Sequence, residues 1–294
     1  MSAQLLNTVL LPISLGLMML ALGLSLQVKH FANVIQHPKA IALGLLMQLF
    51  LLPATAWLVI AGLSVPAELA AGLILIALAP GGATSNAISF LSRGDTALSI
   101  SLTAVTSLIT PFSIPLLLSL QYQWLGLETT AFDLPVLPTM FKLIVVTLLP
   151  VLIGMTLRHL FERTVSAIQA PVQRLVGILF IALVIAMAWV NRAQLPDIIS
   201  ISTAAILCLC CLAMLFSNRL ATAVGLHSDQ QITLTIEVGI QNAGTAMMVA
   251  ATLMQQPALA MIALYYGIAM NGPALAIIGW RQLRTDASPS YAET

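Results

Sequence analysis

The chain alternates between long apolar stretches and short polar connections. Nine apolar stretches can be delimited, each close to the roughly 20 residues that a helix needs to cross the hydrocarbon core of a bilayer. They cover residues 4–27, 38–62, 67–92, 96–121, 136–160, 170–191, 196–218, 230–255 and 258–283. Because these stretches lack the two-residue alternation of a barrel strand, the pattern predicts nine transmembrane helices.

The composition leads to the same class of protein. Of 294 residues, 60% are hydrophobic and only 7% are charged, whereas a soluble domain carries about 25% charged residues. So few charges cannot cover a water-exposed surface, and so hydrophobic a chain is not disordered. The net formal charge of +1 offers no basic face to a nucleic acid. We therefore expect an all-α polytopic membrane protein, with residues 1–294 forming a single transmembrane domain.

The positions of Lys and Arg predict the orientation in the membrane. Nine of the 11 basic residues lie in alternate connections, at the ends of the spans that flank them or in the C-terminal tail, and they are Lys29, Lys39, Arg93, Arg158, Arg163, Arg174, Arg219, Arg281 and Arg284. Lys142 and Arg192 fall on the opposite side. Because cytoplasmic loops are enriched in Lys and Arg, the C-terminus is expected in the cytoplasm. With nine spans, the N-terminus is then expected outside. The membrane itself is expected to be the cell inner (plasma) membrane.

One acidic residue lies well inside a predicted span. Glu237 belongs to the eighth stretch, and a charge at the bilayer centre costs about 2.5–3.5 kcal/mol on insertion scales. Two glycines and two amides follow it within two turns, in the run Glu237-Val238-Gly239-Ile240-Gln241-Asn242-Ala243-Gly244. Such residues weaken a helix, so the run predicts a helix that breaks at mid-membrane and lines a wet cavity. The alternative is a protonated glutamic acid that is hydrogen-bonded within the bundle.

The third predicted span has a similar interruption. It contains Pro80-Gly81-Gly82, followed by the polar residues Thr84, Ser85 and Asn86. Proline removes a backbone donor and clashes with the preceding turn, and glycine permits non-helical backbone angles. A simple proline kink is the alternative, but a kink does not require three consecutive polar residues.

The two interrupted spans occupy matching places along the chain. Each is followed by a span with a proline near its middle, Pro111 in the fourth and Pro273 in the ninth. Three crossings separate the two units, which gives them opposite topologies. The pattern predicts inverted repeats of four and five spans, about residues 4–121 and 136–283, whose broken helices cross at mid-membrane as in secondary transporters. On this count the first repeat would lack its opening helix.

The predicted breaks bring together groups that bind ions. Unwound backbone and helix C-termini offer carbonyl oxygens to a cation, and Na⁺, as a hard cation, prefers oxygen ligands. Suitable side chains are Ser85, Asn86, Glu237 and Gln241 in the breaks, Gln48 in the second span, and Ser99 and Thr103 on one face of the fourth. A Ser or Thr in a membrane helix often bonds only its own backbone. We adopt that interpretation for Ser107 and Thr110, and leave it open for Ser99 and Thr103.

These residues carry a family resemblance. Pro80-Gly81-Gly82 with Ser85-Asn86, and the run from Glu237 to Asn242, resemble the signature segments of the bile acid:sodium symporter family, and more closely its bacterial homologues of the apical sodium-dependent bile acid transporter. The likeness extends over essentially the whole chain and includes Gln48. It implies ten helices divided into a panel and a core. Against that count this chain would lack the first helix, which would leave a core at about 38–121 and 196–283 and a panel at about 4–27 and 136–191.

The resemblance also implies particular ligands. The first Na⁺ site would use Ser85, Asn86, Ser99, Thr103 and Glu237. The second would use Gln48, Glu237, Gln241 and the backbone carbonyls of Val238 and Ile240. Asn242 and Asn271 would face the substrate cavity, with Thr84 as a further candidate. Relatives often carry a polar residue where this chain has Met270, so a substrate different from theirs is one expectation.

The function that follows is a sodium-coupled secondary active symporter. It would move two Na⁺ with one organic anion, a bile acid or a small carboxylate such as pantoate, by alternating access, as a monomer in the bilayer. A proton-coupled carrier that uses Glu237, a passive channel and an intramembrane enzyme are the alternatives. An enzyme is disfavoured because the four histidines lie in loops or at helix ends, and these are His30, His37, His159 and His227.

Overall fold

The protein is described by a computed structural model over residues 5–79, 81–126, 135–190, 192 and 195–286. Within these ranges the chain forms helices and their connections, and no β-strand. Seven helices are long and apolar enough to cross a membrane, and they are Thr8–Ser25, Pro38–Leu63, Thr96–Trp124, Val136–Leu160, Glu162–Val190, Ser202–Ala223 and Pro257–Leu283. The prediction of an all-α polytopic membrane protein is therefore confirmed.

The α-helical segments follow the predicted spans closely. In chain order they are α1 (Leu11–Ser25), α2 (Val28–Gln36), α3 (Pro38–Leu46), α4 (Leu52–Leu63), α5 (Ala67–Ala77), α6 (Ala83–Leu91), α7 (Thr96–Trp124), α8 (Val136–Leu143), α9 (Leu149–Leu160), α10 (Glu162–Val190), α11 (Leu195–Ala223), α12 (Ser228–Gly239), α13 (Ala243–Met248), α14 (Pro257–Ala269) and α15 (Asn271–Asp286). The sixth predicted span differs most, because α10 begins at Glu162, two turns before the apolar stretch. Residue 4, Pro80 and residue 191 lie outside the described residues.

The third and eighth predicted spans are each divided into two helices. α5 ends at Ala77 and α6 begins at Ala83, with Gly82 in extended backbone. α12 ends at Gly239 and α13 begins at Ala243. The chain is thus interrupted at both of the places that the glycine-rich sequences predict.

Three of the spans contain a π-helical turn just before a proline. The turns are Leu6–Leu10, Met47–Leu51 and Ile144–Leu148, followed by Pro12, Pro53 and Pro150. Proline lacks an N–H group and crowds the carbonyl four residues earlier, and a wider turn accommodates both effects. One of these turns contains Gln48, a residue that the sequence marks as a candidate ligand.

The helices around the two breaks form the best-buried part of the molecule. α12 packs against α11, α6 and α7, and α14 packs against α5 and α13. Every residue from Ile232 to Gln241 is buried. In contrast, α10 has exposed apolar residues along most of its length, which is typical of a helix that faces lipid.

Candidate ion and substrate site

The two breaks are in direct contact. The N–H of Asn242 donates to the carbonyl of Ala79 over 3.2 Å. A Cβ on Gly82 would lie 3.3 Å from Nδ2 of Asn242, and a Cβ on Gly81 would lie 2.7 Å from Oε2 of Glu237. The glycines therefore let the unwound backbone of one segment approach the polar side chains of the other.

Glu237 is fully buried beside this crossing, within a cluster of side-chain oxygens. Oγ of Ser99 lies 2.5 Å from Oε1 of Glu237 and 2.7 Å from Oδ1 of Asn86. Oγ1 of Thr103 lies 3.4 Å from Oε2 of Glu237 and 3.1 Å from Oδ1 of Asn86. The hydroxyl of Ser85 donates to the carbonyl of Gly82 over 2.8 Å. It lies beside the same carboxylate, because a Cβ on Gly81 would be 2.9 Å from Oγ of Ser85 and 2.7 Å from Oε2 of Glu237. The structure thus brings together all five side chains of the first predicted Na⁺ site.

This cluster has more oxygen acceptors than protons to share among them. The hydroxyls of Ser99 and Thr103 each have one proton for two acceptors, the carboxylate of Glu237 and the amide oxygen of Asn86. Among the described residues, the groups that interact with the Glu237 carboxylate are hydroxyls and include no basic side chain. Because a buried carboxylate without a counter-charge is costly, the arrangement has the chemistry of a cation site.

Two amide oxygens next to Glu237 are buried without a hydrogen-bond partner. Nε2 of Gln48 donates to the carbonyl of Glu237 over 3.2 Å, and Nε2 of Gln241 donates to the carbonyl of Val238 over 2.5 Å. Oε1 of each glutamine is buried and unpartnered. An unsatisfied buried polar group costs about 1–3 kcal/mol, which a bound cation would relieve. These side chains belong to the second predicted Na⁺ site, and the same backbone segment includes Ile240.

The last turn of α12 is held by two groups that the sequence analysis did not select. The hydroxyl of Tyr266 in α14 donates to the carbonyl of Gly239 over 2.9 Å, and Sγ of Cys210 in α11 lies 3.5 Å from the same oxygen. Both bonds hold the carbonyl of Gly239, the residue between Val238 and Ile240. A buried tyrosine usually has a partner for its hydroxyl, so the tyrosines at 265 and 266 in an otherwise apolar span are the sequence signal that could have pointed to such a contact.

A cavity of about 480 Å³ adjoins the crossing. Met18 and Leu22 of α1 and Phe180 and Val184 of α10 form an apolar wall. The opposite wall comes from the two breaks and from α14 and α15. The three predicted substrate residues all line this cavity, and they are Thr84, Asn242 and Asn271. The N-terminus of α6 also meets it at Ala83, where a helix end favours an anion.

The two asparagines already use part of their hydrogen-bonding capacity within the protein. Oδ1 of Asn242 accepts from the N–H of Thr245 over 3.0 Å and caps α13. Nδ2 of Asn271 donates to the carbonyls of Gly267 and Ile268, at 2.7 and 3.1 Å. In this arrangement Asn242 offers its amide N–H groups to a ligand, whereas Asn271 offers its oxygen.

Comparison with known proteins identifies the family. Residues 12–223 match the sodium bile acid symporter family. The uncharacterized sodium-dependent transporter YocS of Bacillus subtilis (strain 168) is 30% identical over 235 residues, which cover 79% of this chain and 70% of that protein. A probable chloroplastic sodium/metabolite cotransporter of Oryza sativa subsp. japonica is 27% identical over 277 residues, covering 92% and 66% respectively.

A human relative shows a similar degree of likeness. Sodium/bile acid cotransporter 4 of Homo sapiens is 28% identical over 233 residues, which cover 78% of this chain and 52% of that protein. The chain thus spans between about half and 70% of the length of these relatives. The family match extends over most of the chain and includes the first of the two interrupted spans. The chain therefore belongs to the sodium bile acid symporter family, whose members are transporters rather than enzymes.

Proposed function

We propose that this protein is a sodium-coupled symporter of a small organic anion. The observation that carries the proposal is the buried Glu237 carboxylate, which lies at the crossing of two interrupted helices among hydroxyl and amide oxygens. Membership of the family and the sodium dependence named for several relatives support the same conclusion.

Two Na⁺ ions would be the coupling ions. The first would bind among the side chains of Ser85, Asn86, Ser99, Thr103 and Glu237. The second would bind to Gln48 and Gln241, whose Oε1 atoms are buried and unpartnered, with Glu237 and the carbonyls of Val238 and Ile240. Glu237 would then lie between two cations, which would offset the cost of burying its charge.

The wider architecture is also part of the proposal. The seven helices long enough to span, together with the two divided ones, would make nine crossings in two inverted repeats. The core would be about 38–121 and 196–283, and the panel about 4–27 and 136–191. Basic residues would lie on the cytoplasmic side of the inner membrane, with the C-terminus inside and the N-terminus outside. A monomer would suffice, because ion and substrate residues come from one chain.

Coupling would arise because the ions and the anion bind to the same crossing. Na⁺ would order the two breaks, which form one edge of the cavity, and each ligand would raise the affinity for the other. Movement of the core against the panel would then open the cavity to the other side. Two Na⁺ with one monovalent anion carry one net charge, worth about 2.3 kcal/mol per 100 mV of membrane potential.

The cavity favours an anion with an apolar body and few polar groups. Its volume of about 480 Å³ lies within the usual range for small-molecule sites. The wall of α1 and α10 is apolar, and the polar groups are confined to the breaks and α15. Either a bile acid or a small carboxylate such as pantoate would satisfy this description, and we favour the smaller anion.

Uptake into proteoliposomes tests the function. Taurocholate and pantoate would be offered with an inward Na⁺ gradient, or with choline in place of Na⁺ at the same pH. We expect saturable, accumulating uptake of at least one anion that requires Na⁺. Glu237→Gln should abolish it, and Glu68→Gln, which changes an exposed glutamate in the first turn of α5, should not.

Two other outcomes would contradict the proposal. Uptake that continues in choline and follows the proton gradient would identify a proton-coupled carrier. Flux that neither saturates nor accumulates would identify a channel.

A further inference from the structure

A second cavity, of about 610 Å³, lies away from the proposed transport site. It opens where α1 gives way to α2 and where α9 ends and α10 begins. It shares no lining residue with the cavity beside the crossing. Nothing in the proposed transport mechanism requires it.

The packing of α1 on α9 produces this cavity. Gly23 and Gly154 let the two backbones come so close that a Cβ on Gly154 would lie 2.8 Å from the backbone of Gly23. Just beyond this contact, α1 ends and Leu26 turns the chain with extended backbone angles. α2 then leads away and packs against α7. The cavity occupies the space between this turn and the last two turns of α9.

The polar side of the cavity is predominantly positive. Lys29 and Arg158 line it together with His159, and Glu162 is the one acidic residue among its lining residues. Arg158 donates to the amide oxygen of Gln169 over 3.3 Å, and its Nε is buried without a partner. A neutral amide does not neutralise the charge of the guanidinium.

Nearby His30 reports the same positive environment. Burial, followed by the charges of Lys29 and Arg158, lowers the pKa of its imidazole. We assign the positive charge of the cavity to Lys29 and Arg158, which line it.

The other side of the cavity is apolar and opens laterally. Leu152 lines the cavity and is 44% exposed, and Val28 at its rim is 69% exposed. Leu149 and Leu152 lie three residues apart on α9, so they continue one exposed apolar face toward the middle of the span. A ligand in this cavity would touch cations at one end and lipid-facing side chains at the other.

We propose that this cavity binds an anionic phospholipid. Its phosphate would interact with Lys29 and Arg158, and an acyl chain would follow Leu152 and Leu149 along α9. Basic pockets at the cytoplasmic ends of membrane helices bind lipid headgroups in this manner. A soluble anion would make no contact with the exposed apolar face. A zwitterionic lipid, with no net charge, would be attracted less strongly by Lys29 and Arg158. The site is independent of the proposed symport.

Native mass spectrometry of the purified full chain tests the proposal. Phosphatidylglycerol would be compared with phosphatidylcholine that carries the same acyl chains. We expect tighter binding of phosphatidylglycerol to the wild-type protein. At about 1 kcal/mol for each cation near the headgroup, Lys29→Gln and Arg158→Gln should each weaken that binding about fivefold and remove most of the preference when combined.

A control variant and a soluble probe distinguish a lipid site from diffuse surface charge and from a site for free phosphate. Arg219→Gln removes an exposed charge at the same predicted membrane side but outside this cavity, and it should leave the preference intact. Lys29 is exposed, so its variant reports on binding even if Arg158→Gln fails to fold. An excess of glycerol 3-phosphate should not displace the lipid.

Three results would overturn the proposal. Equal binding of the two lipids would show that the cations play no part. An equal loss in Arg219→Gln would show a diffuse effect of surface charge. Displacement by glycerol 3-phosphate would show a site for soluble phosphates instead.

Discussion

Ser99 and Ser101 lie two residues apart in α7 and are both fully buried, yet their hydroxyls have different partners. Oγ of Ser101 donates to the carbonyl of Ala97 in its own helix over 2.6 Å. Ser99 instead contacts Glu237 and Asn86, which belong to the two interrupted spans. At the scale of single residues, the partner of a hydroxyl therefore decides whether it belongs to the site.

Replacing these two serines separately tests that distinction. Ser99→Ala should weaken Na⁺ binding about tenfold or more, because contacts to charged groups contribute about 1.5–3 kcal/mol. Ser101→Ala removes the same atoms from the same helix and should leave Na⁺ affinity within about twofold. Titration of thermal stability with NaCl against choline chloride measures both. Equal effects of the two variants would contradict the assignment of Ser99.

Gln48 gives a second test at this scale. Gln48→Leu keeps the side-chain size but removes the unpartnered buried oxygen. Stability without Na⁺ should change by only about 1 kcal/mol, because relief of the unsatisfied oxygen offsets the lost bond to the carbonyl of Glu237. The stabilisation by Na⁺ should fall strongly. Large destabilisation without Na⁺, with the response to Na⁺ preserved, would mean that Gln48 has only a structural role.

The sequence predicts which residues supply oxygens but only partly predicts their partners. The hydroxyls of Ser107 and Thr110 donate to the carbonyls of Thr103 and Thr106. This agrees with the prediction that these two side chains bond the backbone of their own helix. The same pattern left Ser99 and Thr103 open, because a helical face does not show what packs against it. Tyr266 and Cys210 were not selected at all, since their partner is a backbone carbonyl 27 and 29 residues away in the chain.

At the level of helices, the positions at which α5 ends and α6 begins determine how closely the site residues approach one another. Gly81 lies in the gap between α5 and α6, and the oxygens of Glu237 and Ser85 occupy the space that a Cβ on it would need. No larger residue fits there without moving one of them. The gap thus serves to admit the side chains of α12.

Adding a methyl group at Gly81 tests the role of this gap. A Cβ would lie 2.7 Å from Oε2 of Glu237 and 2.9 Å from Oγ of Ser85. We expect Gly81→Ala to reduce Na⁺ affinity more than tenfold and to cost about 1–3 kcal/mol in stability. Gly279→Ala, where nothing lies within 4 Å, is the matched control. Normal Na⁺ binding by Gly81→Ala, measured by the same NaCl titration, would contradict the close crossing.

Hydropathy predicts the spans, and glycine, proline and polar residues predict their interruptions, but neither predicts the finer shape of the helices. The apolar runs locate the spans, and the glycines at 81, 82 and 239 locate the interruptions, because both signals are local in the sequence. The π-helical turns before Pro12, Pro53 and Pro150 depend on how a helix relieves a proline, which hydropathy does not register. α2 was missed because it is short and polar enough to resemble a connection.

For the whole molecule, the important feature is that the proposed ion and substrate residues meet at one edge of the cavity, where the two breaks cross. Gln241 and Asn242 are consecutive and both line the cavity, and Gln241 also belongs to the pair of glutamines with unpartnered buried oxygens. The far wall of that cavity belongs to α1 and α10. A change on the far wall should therefore affect the substrate and not the ions.

Filling the cavity from the far wall tests this separation. Val184→Trp would occupy the space opposite Asn242 and should abolish anion uptake while Na⁺ stabilisation persists. Ile178→Trp, on the lipid-exposed face of the same helix and outside the cavity, should transport normally. Loss of Na⁺ stabilisation in Val184→Trp would show that the ions and the wall are not independent.

The arrangement of the whole molecule is the least predictable from composition and periodicity. Asn86 and Glu237 are far apart in the chain, and no local pattern states that their spans cross. The matching places of the two interrupted spans in two inverted repeats supplied that expectation, by comparison with secondary transporters, and a hydrogen bond from Asn242 to Ala79 joins the two breaks. The second cavity was not predicted, since it depends on how closely α1 approaches α9.

The central claim is that Glu237 holds sodium at the crossing. Equilibrium binding of radioactive sodium to the purified protein tests it most directly, with Glu237→Gln compared to the wild type and to Glu68→Gln. We predict saturable binding to the wild type and to Glu68→Gln, and loss of binding in Glu237→Gln. Sodium binding by Glu237→Gln that equals the wild type, or no specific binding by the wild type, would contradict the account.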